Sequence, residues 1–149
     1  PFQELLDLPV ESMCLPNSVL LMWVTFPNLL DALTLIEAWS FKYKTVGFVW
    51  AKTNKKSAGF FTGMGYYTRA CTEICLLATK GKGLPRISRS IHQLVVSPVR
   101  GHSQKPDEVR DRIVQLFGDV PRIELFARGS LPDGWSGWGD EYAVEAPST

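Results

Sequence analysis

The sequence predicts an α/β domain built on a mixed β-sheet. Strand-length apolar runs alternate with amphipathic helical stretches along most of the chain, the pattern of helices packed on a sheet. Two of the strand runs, one ending near Lys52 and one starting near Glu73, are joined by a loop and no helix, so they should pair as an antiparallel hairpin. At 149 residues with 45% apolar side chains, residues 1–149 suffice for a single domain with a sizeable core.

Each element follows from local signals. Phe2–Leu8 reads as a short helix with Phe2, Leu5 and Leu6 on one side, stopping before Pro9. Ser18–Thr25 is continuously apolar and strand-long, so a central buried strand is expected there. Pro27 and Asn28 open a helix to about Trp39, with Leu29, Leu33 and Ile36 facing inward. Tyr43–Lys52 is a strand rich in β-branched and aromatic residues. Thr53–Thr68 is a loop carrying Gly59, Gly63 and Gly65, and Glu73–Thr79 is the next strand. A second basic loop, Lys80–Ser90, leads to a strand at His92–Ser97.

The clearest helix comes next. Pro106 suits its first position, where a missing N–H costs nothing. Asp107 and Glu108 lie in the first turn, where the helix dipole favours negative charge. Val109, Ile113, Leu116 and Phe117 fall on one stripe, and Gly118 stands where the helix should stop. Ile123–Phe126 suits a buried strand, within which Glu124 needs a partner. Pro132–Ser136 reads as a turn, Trp135 and Trp138 as packing residues, and Ala143–Thr149 as a loose tail.

The charge is lopsided although the net value is only +1. Residues 42–100 hold eleven Lys or Arg and a single acid, Glu73, while the rest holds five basic and fourteen acidic residues. Such a split suggests one face meant for a polyanion. Lysines interleaved with Phe60, Phe61, Tyr66 and Tyr67 suit phosphates and unstacked bases. Lys52, Lys55, Lys56, Arg69, Lys82, Arg86 and Arg89 are therefore the expected nucleic-acid contacts. The alternative is an ordinary solvated surface. No apolar run reaches the roughly 18 residues of a membrane span. Cys14, Cys71 and Cys75 lack a paired zinc spacing, so no metal site is expected, and reduced thiols point to a cytoplasmic setting.

The blocks HSQKPDE (His102–Glu108), IELFAR (Ile123–Arg128) and WGDE (Trp138–Glu141) resemble the MT-A70 family of adenine-N(6) methyltransferases, its bacterial and phage members above all. Further blocks in the same order, from LLMWVTFPNLLDAL to RSIHQLVVSP, carry the likeness over nearly the whole chain. The resemblance implies a Rossmann-like S-adenosylmethionine-dependent methyltransferase fold in permuted order, with the catalytic segment early and the cofactor segment late. The implied reaction moves a methyl group from S-adenosylmethionine to the exocyclic amine of adenine in DNA or RNA. That amine is a poor nucleophile, so the gain is mainly positioning, and the base must be single-stranded or flipped out.

By the same resemblance, Lys105, Glu124, Leu125, Phe126, Arg128, Asp140 and Glu141 would hold the cofactor, with Glu124 on its ribose. Arg100, Ser103, Lys105 and Glu73 would line the adenine pocket. Asp140 stands where the family usually has Asn, an acceptor in place of a donor-and-acceptor amide. The family's Asp-Pro-Pro-Trp motif is absent, and no two prolines are adjacent, so no catalytic residue is assigned. The expectation is that the reading frame extends upstream of Pro1, and that the first strand of the sheet is missing with the motif. The other expectation is a non-catalytic member that binds nucleic acid or supports an active partner. A homodimer, or a heterodimer with a related subunit, is compatible with either.

Overall fold

Four strands make the main sheet: β1 (Ser18–Val24), β2 (Lys42–Thr53), β3 (Thr72–Lys80) and β4 (Leu94–Pro98), in the order β1-β3-β2-β4. This is a computed structural model describing residues 1–101, 104–127 and 130–139. β3 pairs antiparallel with β1 and with β2, as a loop-joined hairpin must, and β2 pairs parallel with β4. The sheet is therefore mixed, and β1, β2 and β4 all point their carboxyl ends the same way.

The helices cover both faces. On one face, α1 (Phe2–Asp7), α2 (Val10–Met13) and α3 (Leu29–Ala38) bury a core that includes Ala32, Leu35, Ile36, Ile74, Leu76 and Ala78. On the other face, α4 (Asp107–Phe117) sets Val109 and Ile113 against Phe48, Trp50, Cys75 and Val95. Pro106 sits immediately before α4, and Gly118 ends it at φ +81°.

A bulge in β2 decides which side chains reach the α4 face. Strands alternate faces with a period of two, so Val46 and Phe48 should share a side. They do not: Val46 and Val49 join the α1–α3 core, while Phe48 and Trp50 join the α4 core. The register slips between Val46 and Phe48, and the extra residue is Gly47. One additional residue reverses the phase of all that follows, so Phe48, Trp50 and Lys52 point together.

Three expectations are corrected. Among the described strands, Ser18–Thr25 is not central. β1 ends the sheet, pairs only with β3 among the described strands, and is half-buried over most of its length. Ile123–Phe126 is not a buried strand either. β5 (Arg122–Leu125) lies outside the main sheet, paired with β6 (Trp135–Trp138), and Ile123 is 43% exposed. The supposed turn at Pro132–Ser136 runs directly into β6, because parallel pairing with β5 puts Trp135 opposite Arg122. Residues of both β1 and β5 line a cleft.

Candidate functional site

Glu73 is the buried carboxylate among the described residues, and its surroundings follow from strand register. It stands opposite Trp50 at the amino end of β3, beside the carboxyl ends of β1 and β2. Its carboxylate is 9% exposed and has a lysine on each oxygen. Lys105 Nζ donates to Oε1 at 2.6 Å, and Lys52 Nζ lies 2.9 Å from Oε2. Burial by itself would push the Glu73 carboxyl up, but the two lysine hydrogen bonds and charges outweigh it and hold it below its ordinary value of about 4.5. Both ammonium groups also rest on indoles: Lys105 lies 5.6 Å from the Trp23 ring and Lys52 5.3 Å from the Trp50 ring. The two indoles meet edge to face at 6.2 Å, and Trp50 Nε1 donates to Ser97 O at 2.9 Å. The cluster is thus one carboxylate and two cations, rigidly seated, with one surplus positive charge.

Lys105 faces a cleft of about 2290 Å3 whose walls are β1, the start of α4, and the β5–β6 pair. Glu124 stands on the far wall. Arg110 reaches it from α4 with both ends of its fork, Nε to Oε1 at 3.0 Å and Nη2 to Oε2 at 2.9 Å. The hydrogen bonds to Glu124 raise the Arg110 pKa above its usual value against the effect of burial. Beyond Glu124, Phe126 takes φ +58° and packs edge to face on Trp138 at 5.4 Å. Arg100 lines the same cleft, but its guanidinium is held by Asp107 Oδ1 at 2.7 Å and Lys105 O at 3.3 Å. It therefore braces the loop before α4.

The family profile for MT-A70 matches residues 2–141. The chain belongs to the MT-A70 family. It is 39% identical to the Type II methyltransferase M.MunI of Mycoplasma sp over 140 residues, 93% of this chain and 57% of that protein. It is 27% identical over 144 residues to an N(6)-adenosine-methyltransferase MT-A70-like protein of Arabidopsis thaliana, covering 93% of this chain and 20% of the relative. The human N(6)-adenosine-methyltransferase catalytic subunit METTL3 is 27% identical over 133 residues, 86% of this chain and 23% of its own. The chain thus spans about half or less of the curated relatives it matches.

For an MT-A70 member, the expected residues fall into three groups. Lys105, Glu73, Glu124, Leu125 and Phe126 come together around the cleft, with Glu73 just behind Lys105. Ser103, Arg128, Asp140 and Glu141 lie outside the described residues. Of the basic set, Lys55, Lys56, Arg69, Lys82, Arg86 and Arg89 are exposed, whereas Lys52 is drawn inward onto Glu73. Sequence reasoning missed Arg110 as the partner that Glu124 required, and missed Trp23 and Trp50 as the seats of the lysines. Arg110 had a signal: a basic residue in α4 beside the apolar stripe that packs on the main sheet. The indoles had none, because their meeting depends on the bulge at Gly47.

Proposed function

We propose that this chain supplies the cofactor- and adenine-binding part of an S-adenosylmethionine-dependent methyltransferase acting on the exocyclic amine of adenine in DNA or RNA. The observation that carries the reading is the Lys105–Glu73–Lys52 cluster, seated at the carboxyl ends of β1 and β2 and opening on a cleft through Lys105. Ligands of α/β sheets bind at that end. An ammonium has three N–H donors. One is engaged by Glu73, and the others can meet acceptors of a base or a cofactor carboxylate. Membership of the MT-A70 family and the relatives named methyltransferases support the reaction.

The residues present fit the cofactor. Arg110 grips both oxygens of Glu124, but each carboxylate oxygen keeps a second lone pair. Glu124 is thereby oriented, not blocked, and can still accept from a pair of ribose hydroxyls. Leu125 and Phe126 offer apolar surface beside it. When bound, the cofactor supplies an electrophilic methyl group on sulfur. The protein's work is to hold that methyl in line with the adenine amine, exclude water and steady the base through Lys105.

A further strand, carrying the family's Asp-Pro-Pro-Trp motif, belongs between β1 and β5 in this reading, giving the permuted Rossmann-like sheet. Three observations support it. β1 is apolar from Val19 to Val24 yet ends the sheet among the described strands. β5 and β6 form a separate ribbon. The cleft, at about 2290 Å3, exceeds the roughly 300–1,000 Å3 of small-ligand sites. The second reading is a non-catalytic member that binds nucleic acid or supports an active subunit. The human relative is a catalytic subunit, which supports assembly with a second subunit in either case.

Calorimetric titration with S-adenosylmethionine, beside radiolabelled methyl transfer to adenine-containing oligonucleotides, tests the proposal. The 149-residue chain should bind cofactor weakly and turn over undetectably. A version extended by the Asp-Pro-Pro-Trp segment should do both, and Lys105→Ala in it should remove most of the activity. Full activity of that variant would overturn the site; an inactive extended protein that still binds nucleic acid would favour the second reading.

A further inference from the structure

The segment joining β2 to β3 folds into two lobes of different chemistry. The first is a turn over residues 54–59, closed by a bridge between Thr53 and Phe60. Asn54 N donates to Gly59 O at 3.1 Å, and the Asn54 side chain donates to Ala58 O at 3.3 Å. Exposed Lys55 and Lys56 ride on this turn. The second lobe is a small hairpin over residues 63–70. Gly63 and Ala70 exchange both backbone hydrogen bonds, at 2.7 and 3.3 Å. Its turn carries Met64, Tyr66 and Tyr67, which are 104%, 80% and 107% exposed, and Arg69 follows beside them.

The tip is built to hold those side chains outward. Tyr67 takes φ +64°, a region that a bulky residue avoids. A Cβ at Gly65 would collide with the carbonyl oxygen of Thr68, so the turn closes this tightly only with glycine. Thr68 N donates to Tyr66 O at 2.7 Å across the same turn. Scattered apolar side chains on a surface are ordinary, but three clustered on one braced turn mark a contact site.

We propose that this hairpin is a wedge that enters a base step of duplex nucleic acid, while Lys55 and Lys56 on the neighbouring lobe hold the adjacent phosphates. The inference rests on the nucleic-acid reading above and adds a mechanism to it. Platforms that stack single-stranded bases line grooves. A projecting apolar tip instead suits insertion between stacked pairs, which kinks the duplex and helps bring a base out of the stack. Charge agrees: residues 42–100 carry eleven basic side chains, and their single acid, Glu73, is buried between Lys52 and Lys105.

Duplex DNA bearing 2-aminopurine reports unstacking as a rise in fluorescence. The wild-type chain at saturation should raise it. Tyr67→Gly combined with Met64→Ser should return it close to the free-duplex level, weaken duplex binding by about tenfold and leave the salt slope unchanged. Tyr67→Gly alone keeps the backbone angle, so its melting temperature should be equal or higher, separating loss of the ring from loss of fold. Lys55→Ala with Lys56→Ala should do the opposite, flattening the salt slope and preserving the plateau at saturation. An unchanged plateau in the tip variant, on duplex that still binds, overturns the wedge. A fall in sedimentation mass in that variant, with the plateau intact, assigns the tip to a contact between copies instead. If the wild-type chain binds no duplex in a salt-dependent way, the nucleic-acid reading falls first and the wedge with it.

Discussion

Glu73 sets the chemistry of the site more than its neighbours do, because it is a nearly buried carboxylate that holds a lysine on each oxygen. Replacing it with Gln keeps the shape but leaves Lys52 and Lys105 repelling each other. Hydrogen bonds to charged groups are worth about 1.5–3 kcal/mol, and the lysines here remain partly hydrated, so a loss of about 1–3 kcal/mol is expected for Glu73→Gln at neutral pH. The sign with pH follows from the depressed carboxyl. Its stabilisation is complete above the unfolded value of about 4.5 and is lost as pH falls through the lower folded value. Urea melts at pH 7 and at pH 3 should therefore show the wild-type advantage shrinking in acid; an advantage that grows in acid would contradict the ion-paired state. Arg110 is the second residue to probe. If it orients Glu124, Arg110→Met should weaken S-adenosylmethionine binding by about tenfold, the order of one charged hydrogen bond, in the extended protein. Calorimetry giving equal affinity would show that Glu124 acts alone or not at all.

At the scale of elements, the bulge in β2 and the covering of β4 deserve separate tests. Gly47 turns Lys52 toward Glu73, and a Cβ there would lie 3.2 Å from Leu21 Cδ2. Gly47→Val should cost about 1–3 kcal/mol through overpacking, read as a lowered urea midpoint. An unchanged midpoint would mean that β1 yields easily at that point. At the other end of the sheet, Arg112 on α4 donates to the carbonyls of His92 and Leu94 at 2.9 and 2.8 Å. This occupies groups that an edge strand would otherwise present to another chain. Arg112→Ala should raise concentration-dependent association, visible in light scattering, without touching the cleft. Scattering identical to wild type would assign Arg112 to α4 packing alone.

Across the whole molecule, charge and openness are the two large-scale properties. The exposed members of the basic set should set the salt dependence of nucleic-acid binding, each neutralised phosphate adding roughly 0.7–0.9 to the log–log slope. Lys82→Ala and Arg86→Ala should each flatten it by about that amount, while Lys52→Met should not, because Lys52 is engaged by Glu73. A slope lost with Lys52 and kept without Lys82 and Arg86 would reverse the assignment of the basic face. The open edge of β1 has a counterpart test. Adding the Asp-Pro-Pro-Trp segment should raise the melting temperature by filling the cleft, and an unaltered melt would place that segment elsewhere.

What the sequence determined by itself was local or came as a likeness. α4 was legible from Pro106, the acidic first turn and the stripe from Val109 to Phe117, because helix periodicity is written in neighbouring residues. The β2–β3 hairpin was legible because a loop without a helix permits only antiparallel pairing. The MT-A70 likeness was legible from ordered blocks, and it singled out Lys105, Glu73 and Glu124 without saying which side chains hold them. Only the tertiary structure decided that Lys52 pairs with Glu73, that Arg110 holds Glu124, and that β1 and β5 line a cleft. Each depends on one strand's phase or position relative to another. A single extra residue, Gly47, reverses the face of every side chain after it, and whether a strand is central or terminal depends on what lies beyond its edge. Neither is encoded in the local pattern, which for β1 is apolar on both faces and consistent with either place.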